Sequence, residues 1–66
     1  MSAEQWEIRA TAGQYLRPSM RSAVTRRGAE AALREAAEYI GEPGQVVAQD
    51  GGDLVLGTLV ARRVQP

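Results

Sequence analysis

Residues 29–41 read AEAALREAAEYIG, and the fold of the whole chain turns on them. Ala29, Leu33, Ala36, Ala37 and Ile40 recur at steps of four, three, one and three, so they share one face and the spacing predicts an amphipathic helix. Glu30 precedes Arg34 by four residues in the favourable order, worth a few tenths of a kcal/mol. Gly41, with Pro43 two residues on, is a stop signal. At the other end Thr25 can cap, which puts Arg26 and Arg27 in the first turn, where the helix dipole disfavours cations by about 0.3 to 1 kcal/mol each. Val24 lies about 160° around the helix from Ile40 and is read as outside it.

Downstream of the helix, Gln45 to Gln49 and Leu54 to Ala61 are rich in valine and leucine, and Asp50-Gly51-Gly52-Asp53 between them predicts a hairpin. Leu54, Leu56 and the pair Leu59, Val60 do not alternate cleanly along one strand, so Gly57 is read as a bulge or a bend. Apolar groups then lie on both faces, one for the helix and one for Trp6, Tyr15 or a second subunit to cover. Upstream, Trp6, Ile8 and Ala10 alternate with Gln5, Glu7 and Arg9, which makes residues 4–10 a half-buried strand. A turn over Thr11 to Gln14 leads to a second short strand at Tyr15 and Leu16, ended by Pro18. Pro18 to Thr25 reads as an exposed connector. The fold class expected is α+β over residues 1–66 as a single domain: a small antiparallel sheet in ββαββ order with one helix packed across it.

Length and composition narrow the function. A chain of 66 residues buries only about 60% of the surface that its unfolded form exposes. Eleven of its apolar residues are alanine, so the core is thin and a homodimer or a partner surface is an expected source of further stability. With no cysteine and no histidine, zinc sites, thiol nucleophiles and imidazole bases are excluded. Ser2, Ser19 and Ser22 have neither His nor Lys to activate them, and the glycines never form a phosphate-binding loop. Asp50 and Asp53 are read as turn chemistry, and Glu35 and Glu38 as a solvated helix flank. No enzyme, no catalytic residue, no metal and no cofactor is expected. The longest run of large apolar residues, Leu54 to Leu56, is far too short for a membrane span, and a cytoplasmic location is expected.

The formal net charge is zero, yet the charges are segregated. Arg9, Arg17, Arg21, Arg26 and Arg27 fall in a stretch without a single acid, the middle of the chain is acidic, and Arg62 and Arg63 form a basic tail. Arginine makes bidentate bonds to carboxylate and phosphate and keeps its charge at any cellular pH. Arg17, Arg21, Arg26 and Arg27, on a loop and a helix start, are therefore the candidate partner-binding residues. Of the aromatics, Trp6 is assigned to the core, Tyr39 to the rim of the helix seam, and Tyr15 to either role.

Ser22-Ala23-Val24-Thr25, the alanine-spaced helix ending Tyr39-Ile40-Gly41, then Gln45-Val46-Val47 and the hairpin from Asp50 to Leu56 follow one another in an order that resembles small phage-encoded anti-CRISPR proteins. The resemblance covers residues 22–60. It implies a non-enzymatic inhibitor that docks on a multisubunit surveillance complex and obstructs DNA binding, in some members through basic surface residues. The acidic flank at Glu35 and Glu38 departs from a uniformly basic docking face. The function expected is a binding protein that engages an acidic protein or ribonucleoprotein surface through its arginine-rich loop and helix start. Direct nucleic-acid binding and a homo-oligomeric structural role are the alternatives, the former weakened by zero net charge.

Overall fold

The computed structural model describes residues 4–64. Among these residues, five strands and one α-helix follow one another as β1 (Gln5–Ala10), β2 (Ser22–Ala23), α1 (Arg26–Tyr39), β3 (Val47–Ala48), β4 (Leu54–Leu56) and β5 (Leu59–Val64), with a 3-10 turn at Pro18–Met20 between β1 and β2. The strands form one antiparallel sheet in the order β2-β1-β5-β4-β3, with α1 across one face. The α+β class and the single helix thus stand, and the order is ββαβββ rather than ββαββ.

The extra strand comes from Leu54 to Ala61, which is two strands and not one. Gly57 and Thr58 form a two-residue turn, with Leu56 directly opposite Leu59. Gly57 has φ +60°, the conformation that a type II′ turn requires at its first central position and that glycine adopts without penalty. The broken alternation has a simple cause: Leu54 and Leu56 on one strand and Leu59 and Ala61 on the next are in phase across the turn, and all four are buried on the same face. Arg62 and Arg63 are not a tail but strand residues, opposite Glu7 and Trp6.

The second strand is also displaced from Tyr15–Leu16 to Ser22–Ala23, where Trp6 pairs with Ala23 and Glu7 with Ser22. The stretch from Pro18 to Thr25 is therefore not simply an exposed connector. Pro18, its φ already suited to the first helical position, opens the 3-10 turn, in which the Met20 N–H donates to Arg17 O at 2.8 Å. Leu16 and Met20 drop into the core, each 4% exposed. Two apolar residues four apart in a polar stretch are anchors, and a chain with so thin a core uses both. The Gln45–Gln49 segment pairs more sparingly than its composition suggests: β3 holds two residues, extended by the Gln49 N–H bond to Asp53 O at 2.8 Å.

Helix α1 follows its sequence closely. Thr25 caps it, accepting the Gly28 N–H on Oγ1 at 2.9 Å, and Val24 stays outside and exposed. Ala29, Ala32, Leu33, Ala36 and Ala37 are buried, with Ile40 packed at the edge of the cluster. At the far end the Gly41 N–H donates to Glu38 O and the Glu42 N–H to Ala37 O, the paired bonds of a Schellman motif, with Gly41 at φ +75°. The alanines let the helix approach Trp6, Ile8, Leu54, Leu56 and Leu59 closely, and each leucine so buried contributes about 1.5–3 kcal/mol. Trp6 satisfies its indole N–H by donating to Glu4 Oε1 at 3.0 Å. At one end of the sheet the Thr11 N–H and hydroxyl both donate to Thr58 O, and the Thr58 hydroxyl donates to Glu42 Oε1 at 3.1 Å, tying two turns to the end of the helix.

The other sheet face has no layer over it among the described residues. Alternation places Glu7 and Arg9 of β1, Val60, Arg62 and Val64 of β5, Val55 of β4 and Val47 of β3 on it. Val47 is 57% exposed and Val64 39%.

Because Leu33 is wholly buried where α1 meets the sheet, Leu33→Ala should cost about 2–5 kcal/mol. Gly41→Ala, which forces a side chain into the left-handed region, should cost about 1–2 kcal/mol. Urea unfolding followed by circular dichroism measures both, and Leu33→Ala should show the lower midpoint.

Candidate functional site

The fold divides the four candidate arginines. Arg26 and Arg27 occupy the first turn of α1, whereas Arg17 lies against Tyr39 in its last turn. At 1.5 Å per residue the two ends are about 20 Å apart, so the four do not converge on one small ligand.

Arg17 and Arg21 belong together. The 3-10 turn at Pro18–Met20 reverses the chain between them, and the buried Leu16 and Met20 pin it to the core. The Arg21 Nε–H donates to Leu16 O at 2.8 Å, and the Arg21 guanidinium carbon stands 5.0 Å from the centre of the Tyr15 ring. The Arg17 guanidinium carbon stands 5.5 Å from the centre of the Tyr39 ring. A chain of contacts therefore runs from Tyr15 through Arg21, Leu16 and Arg17 to Tyr39. Tyr15 is 62% exposed and Tyr39 44%, so both rings offer surface to solvent as well as to the arginines. Guanidinium groups over exposed rings gain about 0.5–1 kcal/mol each and lose conformational freedom before any ligand arrives.

Sequence reasoning found the two arginines and missed the two tyrosines. Tyr39 is 22 residues from Arg17, and no local spacing links them. The available signal lay in Leu16 and Met20, whose separation marks a packed turn and brings residues 15 and 21 to its two ends.

Around the start of α1 the setting differs. Arg26, Arg62 and Arg63 border an open cleft of about 620 Å³ together with Trp6, Glu4 and Asp53. Acids answer the bases there: Arg62 Nη2 lies 3.5 Å from Asp53 Oδ2, and Arg26 Nε lies 4.0 Å from Glu30 Oε1. In both pairs the arginine is exposed and the carboxylate half-buried, and surface pairs of this kind contribute about 0–1 kcal/mol. Among the described residues no group of three or more His, Cys, Asp or Glu side chains is placed to hold a metal ion. Among the same residues, no helix is long and apolar enough to cross a membrane.

The stacked geometry has a spectroscopic consequence. Arg21 side-chain protons should resonate upfield of their random-coil positions through the Tyr15 ring current, and Tyr15→Leu should return them, as heteronuclear NMR of the arginine side chains will show. Comparison of the chain with protein-family models, with curated proteins and with solved structures finds no match.

Proposed function

We propose that this chain is a non-enzymatic binding protein that docks on an acidic protein or ribonucleoprotein surface through the patch formed by Tyr15, Arg17, Arg21 and Tyr39. The observation that carries this reading is the pair of exposed tyrosines, each with a guanidinium over its ring. Tyrosine and arginine are the residue types that dominate binding energy at protein interfaces. Each guanidinium has one ring beside it, the Arg21 Nε–H is held by Leu16 O, and the terminal N–H groups are suited to carboxylate or phosphate. Arg26 and Arg27 add a further basic contact about 20 Å from Arg17, at the other end of α1, which suits a broad partner better than a small ligand.

The resemblance to anti-CRISPR proteins gives this reading a biological form: a phage-encoded inhibitor, working in the cytoplasm, that covers an acidic or nucleic-acid-binding surface of a surveillance complex. Zero net charge argues against general affinity for nucleic acid, which needs a basic surplus.

Capture from lysates of bacteria that carry CRISPR systems, with the immobilised native chain beside its variants, tests the reading. Arg17→Glu with Arg21→Glu should weaken partner binding at least about tenfold, or about 1.4 kcal/mol. Arg26→Glu with Arg27→Glu should weaken it less. Equal capture by the first double variant would remove the patch from the interface. Anisotropy with labelled DNA and RNA provides the contrast: tight binding whose logarithm falls by about 0.9 per phosphate contact with the logarithm of salt would transfer the site to nucleic acid.

A further inference from the structure

The two edges of the sheet are not alike. β2 is bracketed by Arg21 and by Arg26 at the start of α1, and charges of this kind blunt an edge against further pairing. β3 lies at the opposite edge, and the segment Gln45-Val46-Val47-Ala48-Gln49 that contains it carries no charge. Val47 is 57% exposed.

The ladder register says which backbone groups that edge offers. Val47 pairs with Val55 and Ala48 with Leu54, and the Gln49 N–H bonds to Asp53 O. In an antiparallel ladder, bonded and non-bonded pairs alternate, so Val47 and Gln49 turn their N–H and C=O groups toward β4. Val46 and Ala48 turn theirs outward.

We infer that the occupant of this edge is a second copy of the same edge, related by a two-fold axis that passes between the two Val47 residues. The segment is suited to pairing with itself. A two-fold at Val47 sets Val46 opposite Ala48 of the other copy, and these are the residues whose backbone groups point outward. It sets Gln45 opposite Gln49, two uncharged amides able to bond each other. The paired segment itself, Gln45 to Gln49, carries no charge, so no like charges come opposite one another. Like charges directly opposite would have been destabilising. The side chains agree with the backbone: Val60, Val55 and Val47 form a row across the open sheet face. In the dimer this row meets its mate at Val47, and the sheet continues through both copies with both helices on one side. The Tyr15–Tyr39 patch is tied to the β2 flank and stays free, so the dimer presents two of them. The inference is independent of what that patch binds.

Sedimentation across a concentration series, a proline substitution and an engineered cross-link test it. The native chain should shift from monomer to dimer as concentration rises. Ala48→Pro removes an outward N–H while leaving the Val47 and Gln49 bonds to β4, so it should be monomeric with an unchanged circular dichroism spectrum. The native chain has no cysteine, so a single substitution reports the register. Val47→Cys brings two thiols together at a non-bonded pair with Cα atoms about 4.5 Å apart, within the range of a disulfide. It should oxidise readily to a covalent dimer. Gln45→Cys sets its thiols about 14 Å apart along the strands and should not. A native chain that is still monomeric at about 1 mM overturns the inference and leaves the edge to a strand from another protein. A dimer that survives Ala48→Pro, or equal cross-linking by the two cysteine variants, overturns it as well.

Discussion

One helix about 10 Å across has to cover a sheet whose outer strands lie about 19 Å apart. That mismatch of widths organises the molecule. Helix α1 sits over the middle of the sheet, where Ile8, Leu54, Leu56 and Leu59 meet Ala29, Leu33, Ala36 and Ala37. The flank toward β2 is filled by Leu16 and Met20 from the segment that precedes it, and the flank toward β3 receives the partly buried Val46 and the Gly44 backbone beside Leu56. A core of this size has no spare apolar side chains, so each flank is covered by whatever the nearest loop supplies.

The two surfaces with functional interest follow from that division. Where the loop supplies Leu16 and Met20, the same short turn displays Tyr15, Arg17 and Arg21 outward, because residues that alternate with anchors must face solvent. The end of the helix adds Tyr39, and the rings and guanidinium groups form one patch without any buried charge. Where the loop supplies Val46 and a glycine, the β3 edge is left with its backbone groups and the Val47 side chain toward water. Both features are thus consequences of covering a five-stranded sheet with a single helix.

Much of the local structure was legible beforehand. The helix, its Thr25 cap and its Gly41 stop depend on spacing and on conformational preferences that act within a few residues. The strand at residues 5–10 has a clean alternation that survives in the fold. Leu54 to Ala61 was misread because two in-phase strands joined by a two-residue turn look, in one dimension, like a single strand with a fault. Tyr15 and Leu16 were misread because two residues before a proline suit an extended conformation whether or not a partner strand is present.

Legible in the residues alone were the α+β class, the helix with its Gly41 stop, the Asp50–Asp53 hairpin and the absence of histidine and cysteine, which excludes imidazole and thiol chemistry. These rest on short-range effects: periodicity, capping and turn geometry. The strand order, the distance of Arg26 and Arg27 from Arg17, the pairing of Arg17 with Tyr39 and the incorporation of Arg62 and Arg63 into a strand all required the tertiary fold. Those features join residues far apart in the chain, and what joins them is the competition to cover one sheet with few apolar side chains, which no window of sequence contains.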